Sequence, residues 1–224
     1  MQELLKHYQE DCSNIFYRQG VEVIMPSVSI IYDSAEDREM EVYKKLEKII
    51  RVAYKSEDKI TDDSFKKMID LVMTNQHLST LEHVDITFKF ITNRGVTHEL
   101  VRHRIASYTQ ESTRYVNYNK KPAQVIYPAW LPSKTIDQKR IWYNDVFDAM
   151  MKYKEQIEIG FKPQEARGIL PNDVKTEIYT TMNLRELMHF FHLRTAPGAH
   201  PDIQVVTKEL QRIMKQELPI IFNR

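Results

Sequence analysis

The sequence predicts an α+β fold, an antiparallel sheet covered on one face by helices, and three observations carry that prediction. "LEHVDITFKFIT" alternates, with Val84, Ile86, Phe88 and Phe90 on one side and Asp85, Thr87 and Lys89 on the other, which marks a half-buried strand. Segments with apolar residues at helical spacing take up more of the chain than strand-like ones. A strand with one polar face leaves a single apolar face for those helices to cover. At 224 residues and 42% hydrophobic content, the chain can bury one substantial core, and one elaborated domain over 1–224 is expected.

In order along the chain, "VEVIMPSVSIIY" (21–32) reads as a strand broken by Pro26. Ala35 to Tyr54 carries Met40, Val42, Tyr43, Leu46, Ile49 and Ile50 at helical spacing. A second helix is expected over Asp62 to Thr74, capped by Asp62 or Asp63, and Ser79 with Glu82 reads as a capping pair before the alternating strand. "RGVTHELVRHR" reads as a short helix and "RYVNYN" as a strand. "TIDQKRIWYNDVFDAMMKYKEQIEIG" is the longest helical segment and stops at Gly160, where a C-cap is expected. Two further helices are expected over Asn183 to Arg194 and Pro201 to Leu218. No repeat and no low-complexity stretch is evident.

Composition removes several function classes. Thirty-two Lys and Arg against 31 Asp and Glu give a net charge of +1, so no global field would hold the chain on nucleic acid or anionic lipid. No apolar run approaches a membrane span and the N-terminus is too polar for a signal peptide, so a cytoplasmic protein is expected. The single cysteine, Cys12, excludes an internal disulfide and a cysteine-based metal cluster. The five glycines, Gly20, Gly95, Gly160, Gly168 and Gly198, are too far apart for a dinucleotide fingerprint or a P-loop, so any phosphate must be held by side chains.

The segment with that capacity is "RHRIASYTQESTRY" (102–115). A run of Arg and His is ordinarily a solvated face paired with acidic neighbours, here Glu99 and Glu111. On a helix, however, successive residues point about 100° apart, so Arg102, His103 and Arg104 fan outward and cannot share one partner. Arg114 stands among Tyr108, Tyr115 and Tyr118, where its fork would meet phosphate and its face would stack. Ser107, Ser112 and Thr113 add neutral donors. The combination suits a nucleotide phosphate plus a flat ring.

A second constellation is "NLRELMHFFHLRTAPGAH". Leu184, Leu187 and Phe191 form an apolar stripe that Arg194 continues, and a cation in line with a buried face needs a partner or a ligand. Arg185, His189 and His192 take another face and read as surface, with no spacing that announces a metal site. Arg167, in "EARGILP", and His77, in "NQHLSTLEH", mean little alone.

Taken together and in order, "QHLSTLEH", "RHRIASYTQESTRY", "EARGILP" and "MNLRELMHFFHLR" resemble the flavin-dependent thymidylate synthase family, whose signature of RHR, seven residues and Ser matches Arg102-His103-Arg104 to Ser112. The resemblance covers about residues 75–206. It implies a helix-covered α/β sandwich and a homotetramer with shared FAD and dUMP sites. It also implies methylation of dUMP to dTMP, with methylenetetrahydrofolate giving the carbon, FADH2 the hydride and NADPH the reducing power.

Residue by residue, the resemblance places His77, Ser79, Glu82, Arg102, His103, Arg104, Ile105, Asn183, Arg185 and His189 toward FAD. Ser112, Thr113, Arg114 and Arg167 fall on the positions that hold the dUMP phosphate. Glu99 and Gln110 fall on substrate-side positions, and Arg194 on the arginine at the uracil ring. Arg194, His77 and His189 are the expected catalytic groups; no metal is implied. Glu99 stands where a glutamine is frequent, Gln110 where a glutamate is, Thr113 where a glycine is, and Gly198 where some members place a histidine, with His200 two residues on.

Because Cys12 lies outside every motif, a cysteine nucleophile is not expected, and activation falls to Arg194 as an electrostatic group. Three alternatives stay open: a divergent relative that makes 5-hydroxymethyl-dUMP, an RNA-binding surface built on the RHR segment, and an inactive oligomeric scaffold. Net charge and the lack of a binding module weigh against the second.

Overall fold

Pro26 does more than interrupt the first extended segment, because the two halves enter different sheets. The computed structural model describes residues 1–16, 18–31, 38–120 and 123–224; Tyr32, at the end of the predicted first strand, and 35–37, at the start of the helix predicted over 35–54, lie outside the described residues. In chain order the elements begin with α1 (Gln2–Asn14), β1 (Val21–Ile24), β2 (Ser27–Ile31), α2 (Arg38–Tyr54), α3 (Phe65–Thr74), β3 (Asp85–Asn93) and α4 (Arg94–Leu100). They continue with β4 (Ala106–Gln110), β5 (Ala123–Ile126), α5 (Ile136–Glu158), α6 (Pro163–Ala166), β6 (Lys175–Asn183), α7 (Leu184–Arg194), α8 (Pro201–Glu217) and α9 (Pro219–Phe222). Among the described residues, no helix is long and apolar enough to cross a membrane.

The expected α+β architecture is present. Four antiparallel strands lie in the order β2-β3-β6-β4. Ile86, Phe88 and Phe90 turn inward from β3 as their alternation requires, with Val84 just before it, against α2, α3, α7, α8 and α9. A separate parallel pair, β1 with β5, joins α1 and α5 around a second apolar cluster that includes Tyr127, Tyr143 and Tyr153. α1, β5 and β6 were not foreseen.

β6 is central, pairing with β3 over its full length from Asp85↔Asn183 to Asn93↔Lys175. Each of these strands ends on an Asn that caps the helix directly after it: Asn93 Oδ1 accepts from Val96 N at 2.8 Å, and Asn183 Oδ1 from Glu186 N at 2.8 Å. The chain therefore contains two strand–Asn–helix units in reciprocal register, although no repeat is evident in its sequence.

Three local expectations fail for physical reasons. α4 stops at Leu100, so the RHR segment is not helical. The Leu100 carbonyl, which would face the chain beyond the helix, lies 2.6 Å from the Tyr108 hydroxyl and accepts from His103 N at 3.0 Å. "RYVNYN" forms turns, because Tyr115 N and Val116 N both bond to Ser112 O; the strand of this region is β4, earlier in the chain. Helix α3 starts at Phe65 without an Asp cap, and the Ser64 hydroxyl instead joins Thr61 N at 2.8 Å to Glu47. By contrast, α5 has a full Thr135–Gln138 capping box and is followed by Gly160 at φ +105°, the left-handed conformation expected where a helix stops.

Candidate active site

The capped start of α7 and the terminated end of α4 bring four side chains into one chain of contacts. His103 is buried, with Nδ1 3.0 Å from Glu186 Oε1. Its other nitrogen, Nε2, lies 3.0 Å from Arg194 Nε, and that guanidinium continues to Glu99, through Nη1 to Oε2 at 2.8 Å and Nη2 to the backbone oxygen at 3.2 Å.

A guanidinium has only donors and a carboxylate only acceptors. The neutral ring therefore carries its proton on Nδ1, toward Glu186, and accepts at Nε2 from Arg194. Burial, the principal cause, with the nearby positive Arg194, holds the His103 pKa below the ordinary imidazole value despite the opposing pull of Glu186.

His103, Glu186 and Arg194 edge an open cleft of about 640 Å³ that is also lined by Arg102, Arg104, Ile105, His189, Leu193 and Gly198, with Glu99 behind the guanidinium. Arg102 and Arg104 are exposed, and Ile105 is 66% exposed. His189 is exposed, its ring edge-on to His103 with centroids 6.0 Å apart. Cationic forks beside an exposed aliphatic side chain and imidazole edges form a donor set suited to a phosphate-bearing ligand with a flat ring. His103, Glu186 and His189 place ligand-type atoms within 4.8 Å of one another. Because His103 Nδ1 and Glu186 are engaged with each other next to a guanidinium, the group reads as a hydrogen-bond chain rather than a metal site.

Other expected residues sit elsewhere. Glu82 does not cap with Ser79; its carboxylate takes the exposed Arg185 at 2.5 Å. Asn183 gives its Oδ1 to its cap. His77 is exposed, 3.4 Å from the Tyr54 hydroxyl. Gln110 reaches the Thr97 and Thr176 hydroxyls at 3.0 and 3.2 Å and lines a different cleft with Glu111, Tyr118 and Lys175.

The residues expected at the phosphate line neither this cleft nor the one around Gln110. Ser112 Oγ accepts from Arg114 N at 3.3 Å and Thr113 is buried, while Arg114 and Arg167 are exposed and line none of these clefts. Nor is Arg114 set among three tyrosines. Tyr118 is buried on Glu111 and the Tyr108 hydroxyl is on backbone oxygens, so only Tyr115, 77% exposed and 5.5 Å from the guanidinium, remains beside it. That arrangement removes the row of stacking rings an RNA surface needs.

Glu186 was missed by sequence reasoning. Asn183 followed three residues later by Glu186 has the spacing of a capping box, which offers Glu186 a local use, whereas its carboxylate actually turns to His103. Cys12 lines another cleft, with Tyr8 and Phe16, and burial pushes its thiol pKa up, away from the thiolate a nucleophile requires.

Residues 34–220 match the family model described as thymidylate synthase complementing protein. A flavin-dependent thymidylate synthase of Geobacter sulfurreducens is 36% identical over 172 residues, 74% of this chain and 72% of that protein. One from Pyrococcus abyssi is 39% identical over 165 residues, 71% of this chain and 67% of that protein. Among solved structures, a UMP/dUMP methylase from Streptomyces cacaoi, bound with 5-Br dUMP, superposes with a TM-score of 0.74 over 91% of this chain and 96% of that one, at 24% identity, and so supports the fold.

Proposed function

We propose, from the premise that this chain belongs to the thymidylate synthase complementing protein family, that it is a flavin-dependent thymidylate synthase methylating dUMP to dTMP. Its curated relatives bear that name at 34 to 40% identity. The observation that best supports the reading is Arg194, anchored at Nε by His103 and at both terminal nitrogens by Glu99 on the rim of a cleft with two further arginines.

We assign FAD as the flavin, methylenetetrahydrofolate as the carbon donor and NADPH as the reductant, in one domain over residues 1–224 that works as a homotetramer. When bound, reduced flavin supplies the hydride that converts the transferred methylene carbon to a methyl group. The chain's part is to bind and orient. Arg102 and Arg104 attract phosphates, Ile105 and His189 meet the flat ring, and Arg194 offers its unused N–H donors to negative charge developing on the pyrimidine carbonyl. Ser112, Thr113, Arg114 and Arg167 are assigned to the dUMP phosphate. The exposure of Arg114 and Arg167, and the absence of all four from the Arg194 cleft, agree with a site completed by a second copy of the chain.

The test is anaerobic. The purified protein is reduced, dUMP and methylenetetrahydrofolate are added, and the nucleotide is identified by mass spectrometry. dTMP with flavin reoxidation is the expected result. 5-Hydroxymethyl-dUMP would move the reaction to a divergent carbon transfer, and bound flavin without product would make the chain a non-catalytic relative.

A further inference from the structure

We propose that Glu186 is a positioning residue for Arg194, acting through His103: its carboxylate holds the imidazole proton on Nδ1, which leaves Nε2 free to receive the Arg194 Nε–H. The inference rests on the reading of the Arg194 cleft given above.

Which imidazole nitrogen carries the proton is decided by the hydrogen bond made at the other. With the proton on Nε2, an N–H would face Arg194 Nε–H donor to donor, and the Nδ1 lone pair would face the Glu186 carboxylate. Both 3.0 Å contacts would turn repulsive. With the proton on Nδ1, both are satisfied. The Glu186 and His103 side chains are only 8% and 3% exposed, so water cannot easily replace either partner.

The other end of the guanidinium is fixed independently by Glu99. A planar fork gripped at Nε and at both Nη atoms cannot rotate, and the N–H bonds it does not use keep one direction. Truncating Glu186 leaves Arg194 Nε–H as the only contact holding the tautomer and strips the buried Nδ1–H of its acceptor, so the imidazole is less firmly held and the Nε anchor loosens while every atom of Arg194 remains.

The tautomer is read without turnover, by 15N NMR of the full-length, histidine-labelled protein, with His103 assigned by a His103→Gln variant. The expected wild-type signature is a neutral ring protonated at Nδ1, shifted toward a mixture of tautomers in Glu186→Ala and better retained in Glu186→Gln, whose amide oxygen still accepts. Kinetically, Glu186→Ala should lower kcat on the order of 100-fold, the effect of a small misplacement, with the KM for dUMP little changed. Glu186→Ala combined with Arg194→Ala should be no slower than Arg194→Ala alone.

A wild-type ring protonated at Nε2, or losses that multiply in the double variant, would overturn the proposal. Should Glu186→Ala fail to fold, the wild-type spectrum and Glu186→Gln still decide. A wild type that makes no dTMP but shows the Nδ1–H ring overturns the synthase reading and upholds the coupling of Glu186 to Arg194.

Discussion

Replacing Arg194 with alanine separates electrostatic catalysis from binding. Of the five N–H donors of a guanidinium, three are engaged, one with His103 Nε2 and two with Glu99; five less three leaves two for a ligand. Loss of a single donor to a developing oxyanion costs about 100- to 1,000-fold in kcat, or about 2.7–4 kcal/mol, so the variant should fall by at least about 100-fold. The fold should tolerate it. The buried His103 Nε2 loses its donor at a cost of about 1–3 kcal/mol, whereas Glu99, partly exposed, can be hydrated.

The assay is single-turnover flavin reoxidation with dUMP and methylenetetrahydrofolate, run beside a flavin-binding titration and a thermal melt. Arg194→Lys should recover little, since an ammonium on one stem cannot bridge His103 and both Glu99 oxygens. A folded Arg194→Ala protein that binds flavin and turns over at near-normal rate would remove Arg194 from the chemistry.

Cys12→Ala should leave dTMP formation intact, because the thiol sits in a separate cleft with a raised pKa; inactivation of the folded, flavin-bound variant would refute this. Asp202→Ala should lower stability by about 3 kcal/mol, from two bonds to a buried carboxylate, since Asp202 takes Ala129 N at 2.7 Å and Asn93 Nδ2 at 2.9 Å; a loss below about 1 kcal/mol in denaturant melts would show those bonds to be replaceable. His103, with Glu186, Arg194 and His189 around it, has a folded pKa below its unfolded value of about 6.5. Its contribution to stability is therefore full above that value and declines as pH falls below it, because the unfolded chain binds the extra proton first. Melts from pH 8 to pH 5 should show an acid-side slope that is smaller in His103→Gln, and an equal slope would refute a neutral buried ring.

How much was legible depended on whether side-chain polarity tracked burial. β3 was readable because Val84, Ile86, Phe88 and Phe90 are apolar and buried while Asp85 is exposed. β6 was not: its inward face is Thr176, Ile178, Thr180 and Met182, and its outward face includes Tyr179, 41% exposed, so the alternation in polarity is blurred where the alternation in burial is complete. The stripe of α7 was readable from Leu184, Leu187 and Phe191, and the question it raised about Arg194 has its answer in Glu99 and His103. Those partners lie 95 and 91 residues away, a separation no local pattern reports. Arg102 and Arg104 were identified for a sound reason, exposed charge, on a wrong premise, since the segment that carries them is not helical.

The charges of the cleft divide its labour. Glu99 and Glu186 each carry one negative charge, Arg194 one positive, and His103 none, so this interlocked group sums to −1 and would by itself repel a phosphate. Arg102 and Arg104 add two positive charges and bring the cleft, counted with the Glu99 anchor behind it, to +1. Since neither is held in the chain that fixes Arg194, the proposed site would rest capture of an anionic ligand and orientation of the reacting one on different arginines. Attraction by the exposed pair would weaken as salt screens it, whereas the partly buried Arg194, locked by a neutral imidazole and a carboxylate, would act through direction at hydrogen-bond range and be screened much less. With a net charge of only +1 the chain has no global field to gather anionic substrates, so a cleft that both attracts and aligns them gains from giving the two tasks to separate arginines.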